Sequence, residues 1–147
     1  MNKLLVAFLS ILTFSSATLA NPSYEAGIGI PYGGVAGVTI NSELSSNTEV
    51  YGGLGISPDT IGYIIGVKLW LNENARLSTN YGTNCFVKTG SKYKGYDGLN
   101  FGIGYAFNGR EKGWAFDLII ADISSCNDGA SSNASDSSVK LAAGYRF

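Results

Sequence analysis

The stretch Leu99-Asn-Phe-Gly-Ile-Gly-Tyr-Ala-Phe-Asn108 alternates without exception: Leu99, Phe101, Ile103, Tyr105 and Phe107 occupy one parity, Asn100, Gly102, Gly104, Ala106 and Asn108 the other. Successive side chains of an extended chain point to opposite faces, so this is a β-strand with one large apolar face and one small or polar face. The pattern recurs in both directions from it. Toward the C-terminus, Trp114, Phe116, Leu118 and Ile120 alternate with Ala115, Asp117, Ile119 and Ala121 in a strand over Trp114 to Ile123, and Val139, Leu141, Ala143, Tyr145 and Phe147 alternate with Lys140, Ala142, Gly144 and Arg146. Toward the N-terminus, Tyr24, Ala26, Ile28 and Ile30 stand against Glu25, Gly27 and Gly29. Ile61, Tyr63, Ile65, Val67, Leu69 and Leu71 stand against Gly62, Ile64, Gly66, Lys68 and Trp70. Weaker strands are expected near Val35 to Ile40, Glu49 to Ile56 and Arg76 to Val87, which makes eight in all.

Between them lie Pro31 to Gly34, Asn41 to Asn47, Ser57 to Thr60, Leu71 to Ala75, Lys88 to Asp97, Asn108 to Gly113 and Ser124 to Ser137, rich in Gly, Asn, Ser and Asp. These connections are of hairpin length or a little longer, so the economical topology is an up-and-down antiparallel meander. Eight such strands can close into a barrel and leave no edge unpaired.

Composition narrows the function. The chain has 147 residues, 20 of them glycine, only 14% charged, and no histidine. Without histidine it lacks the usual general base of hydrolases and the commonest metal ligand, so no catalytic residues, no metal site and no cofactor are expected. Ten basic against eleven acidic residues leave no electrostatic footprint for nucleic acid. Gly27-Ile-Gly29 and Gly102-Ile-Gly104 are strand glycines that open no helix, which removes a phosphate-binding loop.

Met1-Asn2-Lys3, the apolar run Leu4 to Phe14 and the small-residue site Thr18-Leu19-Ala20 read as a secretory signal peptide over residues 1–20. The domain organisation expected is thus a signal peptide, 1–20, and one barrel, 21–147. About 127 residues then remain, close to the minimum for eight strands of about 9 to 11 residues each, the length that crosses a membrane.

A soluble barrel would carry its large apolar residues inside and Lys, Glu, Thr and Gln on the water side; a membrane barrel reverses this. Here the minor face is mainly Gly, Ala and Asn, which suits the cramped interior of a narrow barrel. Tyr24, Tyr105, Phe107, Trp114, Phe116, Tyr145 and Phe147 are expected toward one rim, as interfacial girdles are. The fold class expected is therefore all-β, an eight-stranded antiparallel up-and-down transmembrane β-barrel after a cleaved signal peptide. The alternatives are a soluble periplasmic lipocalin-like barrel that binds a small apolar ligand, and a minor narrow pore.

In these features the chain resembles the small outer-membrane β-barrels of Gram-negative bacteria, a group that includes the membrane domain of outer-membrane protein A. The resemblance spans residues 21–147. It implies localisation in the cell outer membrane, contact with outer-membrane lipids and lipopolysaccharide, a monomer, and a structural or surface-interaction role. It also implies that the terminal strand, through Val139, Leu141, Ala143, Tyr145 and Phe147, is the assembly signal read by the barrel-assembly machinery. A periplasmic C-terminus would turn Pro31 to Gly34, Ser57 to Thr60, Lys88 to Asp97 and Ser124 to Ser137 outward. Lys88, Lys92, Tyr93, Lys94 and Tyr96 are then candidates for contact with lipopolysaccharide phosphates.

Two cysteines in an exported chain are most simply a disulfide, and both Cys85, late in an outgoing strand, and Cys126, just past the end of another, fall at the outer rim. Charges on the inner parity are Glu25, Lys68, Arg76, Asp117, Lys140 and Arg146. Unpaired burial is costly, so these should form a lumenal network, with Glu25 and Arg146 paired on the first and last strands and Asp117 close by.

Overall fold

The computed structural model describes residues 20–57, 59–122 and 137–147. It is all-β, an antiparallel up-and-down barrel of eight strands closed on itself. The strands are β1 (Ala20–Gly29), β2 (Gly34–Ser45), β3 (Thr48–Ser57), β4 (Thr60–Trp70), β5 (Ala75–Thr89), β6 (Lys92–Ala106), β7 (Gly113–Asp122) and β8 (Ser137–Arg146). Residues 1–19, where the signal peptide is expected, lie outside the described residues.

Register fixes the shape. Partners followed round from Ser23 pass through Asn41, Tyr51, Gly66, Asn80, Asn100 and Ala121 to Ser138. The β8–β1 seam, in which Glu25 faces Arg146, continues that path onto the level of Gly33, ten residues beyond its start. With strand rises of about 3.3 Å and strand spacings of about 4.8 Å, a shear of ten over eight strands tilts the strands by roughly 40°. An interior this narrow is filled by side chains.

The alternation carries straight into burial. β7 runs from exposed Trp114 through buried Ala115, exposed Phe116, buried Asp117, exposed Leu118, buried Ile119 and exposed Ile120 to buried Ala121. Among the described residues fourteen polar or charged residues are buried against ten apolar ones, while twenty-eight large apolar or aromatic side chains are exposed.

Several connections differ from the sequence expectation. Asn41 to Asn47 is strand as far as Ser45, where β2 continues past a bulge and leaves a two-residue turn before Thr48. Lys88 to Asp97 is a hairpin rather than a loop: β5 and β6 both run 15 residues, pair down to Thr89–Lys92, and turn over two residues. Thr89, Tyr93 and Tyr96, together with Phe86 and Val87 just before them, favour extended pairing here.

The larger difference is at Pro31-Tyr-Gly-Gly34, expected as an outward loop. It folds inward. Ile30–Tyr32 forms a 3₁₀ turn with all three residues buried, flanked by Gly29 (φ 106°) and Gly33 (φ 76°). Both flanking dihedrals lie in the region that a Cβ penalises, which is why glycine brackets the turn. The inward turn needs room, and inward-facing glycines supply it. A Cβ at Gly27 or Gly144, which face each other across the seam, would strike the Tyr32 ring, and one at Gly37 or Gly55 would strike the Tyr32 carbonyl. The chain thus plugs its own barrel with Tyr32, which is 1% exposed.

At Gly144 the three nearest atoms to an added Cβ all belong to Tyr32. Gly144→Ala is therefore expected to cost about 1–3 kcal/mol by overpacking, and the same change in a Tyr32→Ala background less than about 0.5 kcal/mol. Denaturant unfolding of the four chains of this double-mutant cycle checks it; additive losses would contradict the contact.

Candidate functional site

Among the described residues the barrel interior holds one dense charge cluster, nearer the end at which β1 begins and β8 finishes. Its centre is Glu25 of β1, 2% exposed. One carboxylate oxygen, Oε2, accepts from Lys68 Nζ at 3.0 Å and from the Tyr32 hydroxyl at 3.4 Å. The other, Oε1, accepts from Arg146 Nη2 at 2.6 Å, Arg146 Nε at 2.9 Å and Arg76 Nη1 at 3.3 Å. Arg76 also grips Asp117 with two parallel bonds, Nε to Oδ1 at 3.1 Å and Nη2 to Oδ2 at 2.8 Å. Arg146 does the same to Glu49, Nη1 to Oε1 at 3.0 Å and Nη2 to Oε2 at 2.8 Å. Bidentate guanidinium–carboxylate pairs are the strongest form of this contact, and the planar fork orients both partners.

Strand parity places each group. Glu25, Lys68, Arg76, Asp117 and Arg146 all sit at positions whose neighbours in sequence point outward, so five different strands deliver charge to one volume. Three buried carboxylates (Glu25, Glu49, Asp117) meet three buried cations (Lys68, Arg76, Arg146), and at the mouth Arg110 pairs with Glu49 at 3.9 Å and with Glu43 at 3.7 Å, so the cluster stays balanced. Neutrality with every charge hydrogen-bonded is the condition under which buried ions are tolerated. Trp70 lies beneath, with the guanidinium carbons of Arg76, Arg110 and Arg146 at 5.6, 5.4 and 5.6 Å from its ring. Lys68 stands 4.7 Å over the Tyr51 ring. At the mouth below, a cleft of about 910 Å³ is lined by Trp70, Asn74, Asn108 and Arg110, among others.

The other half of the interior is lined mainly by amides and hydroxyls. Asn100, with no exposed surface, donates to Asn80 Oδ1 at 2.7 Å and to Asn84 Oδ1. Asn84 donates to the Asp122 carbonyl at 2.6 Å. Ile30, Tyr51, Ile64 and Ala121 form a small apolar cluster inside.

Of the six charges expected in a lumenal network, Lys140 stands apart. Its parity is inward, but its ammonium donates to the backbone carbonyl of Asn84 at 3.1 Å and has no carboxylate partner among the described residues. Its register partner is Ile119, and its ammonium turns to the Asn84 carbonyl, away from the cluster. Glu49 takes the place the sequence expectation gave to Lys140. Its parity with Tyr51, opposite exposed Leu54 and Ile56, is the signal that identifies it as inward.

Lys88, Lys92, Tyr93, Lys94 and Tyr96 come together on the long β5–β6 hairpin, with Lys88 opposite Tyr93 in register. The Lys94 ammonium stands 5.0 Å over the Tyr96 ring. The Tyr93 amide donates to Asp59 Oδ2 at 3.1 Å and the Tyr63 hydroxyl to Asp97 Oδ2 at 2.9 Å, which ties the hairpin to its neighbour. Cys85 lies in β5 just past the bulge at Thr83, opposite Tyr96, whereas Cys126 lies outside the described residues. In β8, Val139, Leu141 and Phe147 are exposed, with Ala143 and Tyr145 half-buried on the same parity. Phe147 stacks on Tyr24 at 6.2 Å and its amide donates to the Tyr24 carbonyl at 3.0 Å, which clasps the first strand to the end of the last.

In comparisons with protein families, curated proteins and solved structures, none matches the chain.

Arg146→Met leaves Glu25 and Glu49 without their principal partner and is expected to cost about 3–5 kcal/mol, the range for breaking a buried ion pair. Lys140→Met, which loses one hydrogen bond to a neutral acceptor, is expected to cost less than about 1.5 kcal/mol. Equilibrium unfolding of both variants checks the ranking, and equal losses would contradict the division between the cluster and Lys140.

Proposed function

We propose that the protein is a small integral outer-membrane β-barrel with a structural or surface-interaction role, its lumen plugged, and no catalytic activity. The observation that carries this is the inversion of the barrel: a belt of exposed Leu, Ile, Val, Phe, Tyr and Trp surrounds an interior of ion pairs and amides. Each such side chain gains about 1.5–3 kcal/mol on leaving water. A contiguous apolar face of this extent is what a bilayer covers, so lipid is the solvent that suits this surface. Strands of 10–15 residues are long enough to cross it. Tyr105, Phe107, Trp114, Phe116, Tyr145, Tyr24 and Phe147 gather at the terminal end, where ring contacts of 5.2–6.2 Å link them in pairs. Such a girdle belongs at a membrane interface.

The likeness to small Gram-negative outer-membrane barrels supports the rest of the reading. The signal peptide over residues 1–20 exports the chain, the barrel-assembly machinery reads β8, and the monomer sits with its termini in the periplasm. The β5–β6 hairpin then stands on the cell surface, where Lys92 and Lys94 are placed to pair with lipopolysaccharide phosphates. Cys85 and Cys126 form a disulfide at that rim. The lipocalin-like alternative requires an apolar ligand where Glu25, Arg76, Asn100 and Tyr32 are packed at 2% exposure or less. A pore requires an open path through the same groups.

Fractionation is expected to leave the protein in the outer membrane, with heat-modifiable migration in gels; recovery from detergent-free periplasmic extract would overturn the reading. Leu118, exposed midway along β7, gives an energetic test. Leu118→Arg is expected to cost about 2–4 kcal/mol in a bilayer, the depth-dependent penalty at its midplane. A water-facing position would lose less than about 0.5 kcal/mol. A non-reducing peptide map is expected to join the peptides of Cys85 and Cys126; two free thiols would remove the disulfide.

A further inference from the structure

On the outer wall at the terminal end, two edge-on aromatic pairs bound a cleft of about 700 Å³. Phe107 and Phe116 meet at 5.9 Å and 84°, Trp114 and Tyr145 at 5.2 Å and 69°. Between them Gly113 contributes no side chain to the floor. The cleft is amphipathic along its length. Its strand end is aromatic and continues into the apolar belt at Leu118 and Ile103, both exposed. Its rim end is closed by the β6–β7 turn, where Asn108 and Lys112 line it and Asn108 Nδ2 holds the turn by donating to the Lys112 carbonyl at 3.0 Å. The adjacent carboxylate, Glu111, lines the adjoining cleft at the barrel mouth, which shares Phe107 and Asn108 with this one, and Lys112 is the charged side chain that lines this rim.

We infer that this cleft is a phospholipid site, in which Lys112 pairs with the headgroup phosphate and one acyl chain lies between the two aromatic pairs. The inference rests on the membrane reading and adds to it a specific lipid of the periplasmic leaflet. The charge fits an anionic headgroup, because a Lys ammonium at an interface attracts phosphate and its stem lies along apolar surface. Trp114 and Tyr145 each add a donor at headgroup depth while their rings stay in apolar surroundings. Flat ring edges meeting near 70–85° leave an angular trough rather than a smooth wall, a shape that admits one flexible chain.

The two tryptophans make the test direct. Trp114 is 56% exposed on this wall, whereas Trp70 is 4% exposed inside the barrel. Bromine on acyl chains quenches indole emission only near contact, so brominated lipid reports on Trp114. The purified protein is reconstituted into vesicles of dibrominated phosphatidylcholine, into which phosphatidylglycerol without bromine is titrated. The expected result is relief of quenching several-fold greater than the mole fraction of phosphatidylglycerol accounts for. That preference should vanish in Lys112→Glu and persist in Lys112→Arg. Relief in proportion to mole fraction, or a preference unchanged in Lys112→Glu, overturns the site while leaving the membrane reading intact. Emission indifferent to brominated lipid, with no heat-modifiable band, means that the barrel has not inserted and overturns both.

Discussion

Everything in this barrel depends on a carboxylate that water cannot reach. Glu25 is buried on the first strand, and a lone ion there would cost several kcal/mol. The fold offsets that cost by bringing Lys68, Arg76 and Arg146 from three other strands to its two oxygens. Because Arg146 is on the last strand, the same contact closes the barrel. The β1–β8 seam is short, with four register pairs from Glu25–Arg146 to Ile28–Ala143. The ion pair at its lower end, the Tyr24–Phe147 clasp and the Tyr32 ring over Gly27 and Gly144 hold what few ladder bonds are available. Tyr32 joins both tasks, since its hydroxyl donates to Glu25 while its ring covers the seam.

The glycines follow from the same constraint. A segment folded into a narrow lumen must lie against the inner wall, and the wall is thin only where no Cβ projects. Gly27, Gly37, Gly55 and Gly144 lie on four strands and face the Ile30–Gly33 segment together. Other inward glycines serve the charges: a Cβ at Gly104 would strike the Asp117 carboxylate that Arg76 holds. High glycine content and scarce charge are therefore two sides of one packing problem. The few long polar side chains inside occupy the space that glycine leaves.

Much of this was legible in the sequence because a period of two leaves little ambiguity. Eight strands, their order and the inward parity of Glu25, Lys68, Arg76, Asp117 and Arg146 all follow from alternation, and alternation survives into the exposed and buried faces of β7 without a slip. Three things did not follow. Pro31-Tyr-Gly-Gly34 uses the residues of an ordinary turn, and nothing local says whether a turn points to solvent or to the lumen; the complementary signal is spread over glycines on five strands, Gly62 of β4 included. Lys140 has the correct parity, but its ammonium turns to the Asn84 carbonyl, a choice that alternation does not carry. Lys88 to Asp97 reads as a connection, although the strands pair right up to Thr89 and Lys92, because strand residues there are interspersed with Gly, Ser and Lys and show no clean alternation.

The central claim is that the apolar belt meets hydrocarbon while the ion cluster stays enclosed. The most direct test is nuclear Overhauser transfer from acyl methylenes to backbone amides in isotopically labelled protein held in lipid nanodiscs. Strong transfer to the amides around Phe101, Ile103, Phe116, Leu118 and Ile120, with water exchange at the Lys92–Lys94 hairpin end, is the result predicted. Water contact all round that belt, with acyl signals confined to the interior, would contradict it.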